Sequence, residues 1–180
     1  MRAAPWTLAA KLVVIGFSLL LVALGAIGLT LWMTWHLEGG AAAVNEAGRM
    51  RMQAYRLELE AGRGPRDEVA RRVALFDASI EALSVGEPGR PLFVPWNDAT
   101  RARFAEVRAD WDALRSDWLT DPAKVPLARV DEFVAAIDGF VASIEQQMSR
   151  STAILNAVQF AMLALAIGGA VALLYAGYIF

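Results

Sequence analysis

The chain has no cysteine and a single histidine, His36. That excludes a disulfide framework and any metal centre built on thiolates or paired imidazoles. There is no phosphate-binding glycine loop, no nucleophile elbow and no catalytic carboxylate pair. No catalytic residue, cofactor or metal is therefore expected. No block of basic residues stands apart from the acids, so nucleic-acid binding has no support. Charge itself is missing from two long runs. Leu12 to Trp35 is 24 residues without a charge, and Ser151 to Phe180 is 30. Each exceeds the ~20 residues that span a bilayer as a helix.

The apolar share is 57% and the mean hydropathy +0.40, both high for a soluble domain. Ala41-Ala42-Ala43 could mimic a signal-peptidase site. A secretory apolar core is only ~7–15 residues long, so the first run reads instead as an uncleaved anchor. Arg2 and Lys11 precede it with no acid among them, which places the N-terminus in the cytoplasm. All 19 acids and 15 of the 17 basic residues lie between the two runs, a net charge of −4. Trp32 and Trp35 suit the outer interface. Trp6, Tyr175 and Tyr178 suit the inner one. The expected layout is a cytoplasmic N-terminus over 1–11, a transmembrane helix over 12–35, a periplasmic sensor domain over 36–150 and a second transmembrane helix over 151–180. This is a two-pass protein of a bacterial inner membrane, with the lipid bilayer as a partner.

Between the spans the pattern is helical throughout. The first span should continue as one helix to about Ala61, with Gly39-Gly40 a soft spot outside the membrane. Gly62-Arg63-Gly64-Pro65 ends it, Pro65 sits in the first turn of the next helix, and Asp67 and Glu68 suit that N-terminus. The second helix carries a seam of Val69, Val73, Phe76, Ile80 and Leu83, spaced as in a coiled coil. Pro88, Gly89, Pro91 and Pro95 make 86–96 a loop, after which Asn97 or Asp98 can cap a third helix. Its seam is Phe104, Val107, Trp111, Leu114 and Trp118, and Pro122 and Pro126 end it. The fourth carries Val130, Phe133, Ile137, Phe140, Ile144 and Met148 and continues into the second span. The expected fold is all-α: an antiparallel four-helix bundle sensor domain flanked by two transmembrane helices. His36 reads as interfacial, Trp111 and Trp118 as core, and Asn156 and Gln159 as hydrogen-bonding partners between the spans.

The rest of the chain serves Asn45 to Leu57, Asn-Glu-Ala-Gly-Arg-Met-Arg-Met-Gln-Ala-Tyr-Arg-Leu. It has no proline and no β-branched residue, so it is helical. Ala47, Met50, Ala54, Leu57 and Ala61 fall on one apolar stripe. Arg51 lies on its flank with Val44, Gly48 and Tyr55, while Arg49 and Arg56 point nearly the opposite way, toward water. A flanking arginine ordinarily snorkels or pairs with a carboxylate. A forked guanidinium beside a glycine can also hold a planar oxyanion.

This stretch resembles the P-box of the NarX/NarQ nitrate and nitrite sensor histidine kinases. The shared residues are Asn45, Ala47, Gly48, Arg51, Met52, Gln53, Tyr55, Arg56 and Leu57. Arg49, Met50 and Ala54 depart from that pattern. PilJ-type pilus and chemotaxis transducers share an Ala-Gly-Arg-x-Arg-Met core, toward which Arg49 leans. The resemblance to the nitrate sensors implies a homodimer in which one arginine per subunit clamps a nitrate or nitrite anion. Carried onto this chain, that arginine is Arg51, with Gly48 giving close backbone approach. It also implies a two-component system, in which a histidine kinase domain absent from this chain acts on a cognate response regulator. The chain is then a fragment or truncation of a longer receptor. The alternatives are the sensor portion of a PilJ-type transducer with another ligand, and a structural membrane bundle that senses nothing.

Overall fold

A computed structural model describes residues 7–61, 64–87, 89, 91–121 and 124–179. They form four helices and no strand: α1 (Leu8–Ala61), α2 (Arg66–Val85), α3 (Asp98–Thr120) and α4 (Leu127–Ile179). The expectations for Arg2, Trp6, Gly62, Arg63, Pro88, Pro122 and Phe180 lie outside the described residues, as does the side chain of Lys11. Pro65 stands at the N-cap of α2, one place before the expected first turn, and Asp67 and Glu68 follow in that turn. Asn97 rather than Asp98 caps α3. Its Oδ1 accepts from the Thr100 N–H at 2.8 Å, and its Nδ2 donates to Gln147 Oε1 on α4 at 2.7 Å. The loop before it contains one isolated antiparallel bridge, Glu87 with Leu92. Gly86 permits that reversal, with φ at 86°. A Cβ there would lie 2.9 Å from the Leu92 carbonyl oxygen.

The chain divides into two units, Met1–Thr34 with Ser151–Phe180, and Trp35–Arg150. In the first, α1 and α4 each offer an 18-residue window apolar enough to cross a membrane, with none of it buried in the protein. Phe17, Leu20, Leu24, Phe160 and Leu163 are all more than half exposed, which in water would be unfavourable for so many together. Gln159 Nε2 donates to Thr30 Oγ1 at 3.1 Å, an interhelical bond of the kind expected for it. Thr30 in turn bonds back to the Ala26 carbonyl. Two such helices are consistent with a two-pass membrane protein.

The second unit has one hydrophobic core to which all four helices contribute. The seams of α2 and α3 are buried along their whole length, and that of α4 is buried from Val130 to Ile144. Met148 packs against the core from its edge. The centre is aromatic. Phe76 stacks on Trp111 with centroids 3.9 Å apart, and Phe133 and Trp118 lie against the same indole. The Trp111 N–H donates to Asp77 at 2.8 Å, and Arg115 holds the same carboxylate at 3.0 Å. A buried indole is thereby satisfied without leaving the stack.

Gly39 and Gly40 are not a soft spot. Both are buried within unbroken α1. A Cβ on Gly39 would fall inside the Phe93 ring, and one on Gly40 would lie 2.8 Å from Met148 Sδ. The absent side chains are filled by neighbours, so the pair lets the 86–96 loop and α4 approach α1 closely.

Candidate functional site

Asn45 to Leu57 occupies the middle of the part of α1 that belongs to the second unit. At 100° per residue its side chains divide among four directions. Ala47, Met50, Ala54 and Leu57 enter the core and are fully buried. That stripe fixes the rotation of α1, and hence what each flank can meet.

One flank faces α4. Arg51 Nη1 donates to Asp138 Oδ1 at 2.6 Å, and the Tyr55 hydroxyl donates to Asp131 Oδ1 at 3.0 Å. The two side chains of the ion pair are 44% and 51% exposed, so water screens it to about 0.2–1 kcal/mol. The Tyr55 phenol is pushed above its ordinary pKa. The bond to Asp131 contributes most, followed by desolvation and the charges of Asp131 and Asp138. Gly48 stands beside this pair, where a Cβ would lie 3.4 Å from Arg51 Nη2.

The other flank faces α2, and here the sequence reading missed a residue. Glu46 is only 2% exposed. Its Oε1 accepts from Arg49, one turn on. Arg49 was expected to project into water. It does so, with its side chain 55% exposed, and i,i+3 spacing also lets its guanidinium pair with the buried carboxylate, where an unpaired charge would be costly. Gln53 follows on the same flank, with its Oε1 at 3.5 Å from Ser79 Oγ of α2. Ser79 is itself 2% exposed and donates to the Leu75 carbonyl at 3.2 Å. Nearer the end of α1, Arg72 of α2 pairs with Glu60. The available signal was the Glu46–Arg49 spacing beside a core alanine.

The remaining candidates face solvent. Asn45, Met52 and Arg56 are exposed, and Met52 and Leu59 continue an apolar edge past the rim of Tyr55. The structure thus brings Gly48 and Arg51 together. It sends Ala47 to the core, Gln53 to α2, and Asn45, Arg49, Met52 and Arg56 to the exposed surface, Arg49 there paired with Glu46. Trp111 and Trp118 are core residues. His36 packs edge-on against Trp35 and Phe93, with centroids at 5.5 and 5.1 Å.

A protein-family model, PilJ, described as the N-terminal part of the type IV pili methyl-accepting chemotaxis transducer, matches residues 32–133. That is more than half of the chain. The chain belongs to the PilJ family. The PilJ match starts before the glycine pair, takes in Asn45 to Leu57, α2 and α3, and ends at Phe133 in α4. It fits the transducer alternative better than the nitrate reading, because its description is that of a pilus chemotaxis transducer. No curated protein matches the chain in a sequence search.

Proposed function

We propose that this PilJ chain is the sensory input portion of a pilus or chemotaxis transducer. It sits in a bacterial inner membrane through two helices, with its N-terminus in the cytoplasm and residues 36–150 in the periplasm. The observation that carries the reading is the continuity of α1 and α4. Each runs unbroken between an apolar, membrane-length window and the hydrophobic core of a PilJ sensor region. A helix of that kind can carry a small displacement from a binding event to whatever follows the membrane.

The sensor domain is read as an antiparallel four-helix bundle. Support comes from the pairs between neighbouring helices: Arg72 with Glu60, Trp111 with Asp77, and Arg129 with Asp117. It works as a homodimer, for which the exposed Met52, Tyr55 and Leu59 supply an apolar stripe on α1 beside Gly48 and Arg51. The test is a hybrid receptor joining this chain to a methyl-accepting signalling domain. Its kinase control should respond when the Arg51–Asp138 pair is broken by Asp138→Arg and recover in the exchanged pair Arg51→Asp with Asp138→Arg. An output indifferent to all three proteins would refute the sensor reading.

The juxtaposition of Gly48 and Arg51 supports a second reading, in which nitrate or nitrite sits between the Arg51 guanidinium groups of two subunits and the output is a histidine kinase. The anion must displace Asp138 from Arg51, replacing a single charge-assisted hydrogen bond by one the guanidinium fork can make in pairs. Thermal unfolding of the wild type and Arg51→Ala in nitrate against equal chloride decides it. A ligand at 100 times its dissociation constant stabilises by about 2.7 kcal/mol. Equal behaviour of both proteins in both salts removes this reading.

A further inference from the structure

A groove of about 340 Å³ opens between the end of α2 and the first half of α3. That is the small end of the ~300–1,000 Å³ range of small-molecule sites. Its apolar lining is Trp96, Phe104 and Ala105, and its polar lining is Ser84, Arg101 and Arg108. Trp96 is half-buried and meets the Phe104 ring edge-on at 5.3 Å. Arg101, Ala105 and Arg108 follow one another at i, i+4 and i+7, so they share one face of α3. The two arginines leave the helix about 10 Å apart along its axis, with the small Ala105 between them.

These two arginines differ from the others on their helix. Arg103 pairs with Glu106, and Arg115 with Asp77. Arg101 and Arg108 make no ion pair and no side-chain hydrogen bond among the described residues. Acids stand at helical pairing distance, Asp98 three residues before Arg101 and Asp112 four after Arg108, and neither is taken up. Both arginines line the groove instead, and no acid lines it with them. The lining therefore carries two positive charges and no negative one.

We propose that this groove binds a small dicarboxylate with an apolar middle. One carboxylate takes the Arg101 guanidinium and the other that of Arg108, each in a charge-assisted fork. The carbon chain between them lies over Ala105, against Trp96 and Phe104. The charge of the lining selects a dianion, and its distribution selects the shape. A single carboxylate leaves one guanidinium unmatched. A compact dianion puts both charges at one point and leaves the apolar floor uncovered. No ion pair has to break first, unlike at Arg51, where Asp138 is already bound. The groove is also linked to α4. Trp96 stacks on Phe140 of α4 at 6.4 Å, and Asn97 beside it donates to Gln147 of α4 at 2.7 Å. A ligand gripping Trp96 and α3 thus gives the arrangements of α4 with and without ligand different energies.

The inference rests on the sensor reading for its purpose, but its chemistry is read by binding alone. The experiment is isothermal calorimetry on the full chain in detergent micelles at matched ionic strength. It uses three probes: glutarate, valerate, which has a methyl in place of one carboxylate, and sulfate, which has both charges at one centre. Glutarate should bind with a dissociation constant of about 1 mM or tighter, and each of the other two about tenfold or more weaker. Arg101→Gln and Arg108→Gln, both at exposed positions, should each bring glutarate to the level of valerate. Ala105→Leu, also exposed, fills the floor and should abolish the heat. Arg103→Gln removes the same charge from the same helix outside the groove and should leave glutarate binding unchanged. Absence of glutarate binding to the wild type overturns the site. So does valerate or sulfate binding as tightly as glutarate, or a loss in Arg103→Gln equal to that in Arg101→Gln. A hybrid receptor that still responds while glutarate fails to bind overturns this groove and leaves the sensor reading standing.

Discussion

Gly39→Ala should destabilise the protein although alanine is the better helix former. In a helix interior the exchange alone gains about 1 kcal/mol. The new Cβ would overlap three atoms of the Phe93 ring, so the ring must leave. Phe93 packs on Trp35 at 5.3 Å and on His36 at 5.1 Å. Its own N–H donates to the Gly39 carbonyl at 3.4 Å. Two aromatic pairs at about 0.5–1.5 kcal/mol each put the loss at about 1–3 kcal/mol, the same range as overpacking a core. The net cost is then about 1 kcal/mol. In a Phe93→Ala background no ring obstructs, and the same substitution should stabilise by about 1 kcal/mol. The coupling between the two positions is thus about 2 kcal/mol, or about 4–8 °C in the midpoint of thermal unfolding for a protein of this size. The assay is helicity-monitored unfolding of the four proteins of the cycle in detergent. Gly39→Ala stabilising equally in both backgrounds would refute the close-approach account. Gly40→Ala is the milder neighbour, because Met148 can flex away from it.

Breaking the exposed Arg51–Asp138 pair by Arg51→Ala should change stability by no more than about 1 kcal/mol, so a double-mutant cycle giving more than twice that would contradict the screened geometry. Asn97→Ala removes the cap of α3 together with the bond to Gln147. It should cost about 1–2 kcal/mol in denaturant unfolding. The Glu58 carboxyl is pushed above its ordinary pKa by burial, and its Oε2 meets no donor. The folded protein therefore holds that proton more tightly than the unfolded chain does, and stability falls as pH rises from the unfolded value through the raised folded one. Glu58→Gln should be the more stable protein at neutral pH and equal to wild type in acid. A difference that persists below the unfolded carboxylate range would rule out titration as its cause.

The core was legible because its signal is local. Val69 to Leu83 and Phe104 to Trp118 repeat at coiled-coil spacing, and the seam residues are the bulkiest apolar ones in each stretch apart from Leu75. All of these seam residues are buried. The cap at Asn97 was legible to within one residue for the same reason. What failed depended on partners far along the chain. Gly39 and Gly40 look like flexibility until Phe93 and Met148 are known to fill them. That Arg51 pairs with a carboxylate was expected of a flanking arginine, but that the carboxylate is Asp138, 87 positions away, is decided only by the register of α1 against α4. Glu46 was hidden because the apolar stripe sets the rotation of α1 but does not say how closely α2 covers its edge. A carboxylate one position from the stripe can be bathed in water or sealed. Here it is sealed, and Arg49 pairs with it while its own side chain stays largely exposed.

The energies of α1 set what a ligand can move. Its core stripe of Met50 and Leu57 with Ala47 and Ala54 is fully buried, and truncating one such large side chain costs about 2–5 kcal/mol. The pairs on its two flanks are worth about 1 kcal/mol or less wherever they face water. A ligand binding at millimolar to micromolar strength brings about 4–8 kcal/mol. That is enough to exchange flank pairs several times over, but not enough to repack the stripe. A signal through this helix must therefore leave the core contacts matched and change the flanks, which means a small rigid displacement of α1 rather than a remodelled core. The two flanks leave the same two turns of helix in different directions. A displacement that favours Glu46 and Arg49 toward α2 necessarily changes the fit of Arg51 to Asp138. The two sets of groups are then coupled through one rigid element, and the coupling is reciprocal. Asp138→Ala on one flank and Ser79→Ala on the other should therefore be non-additive in thermal unfolding, although the two residues lie on different helices and meet only through α1. Additive effects would show that α1 does not move as one body.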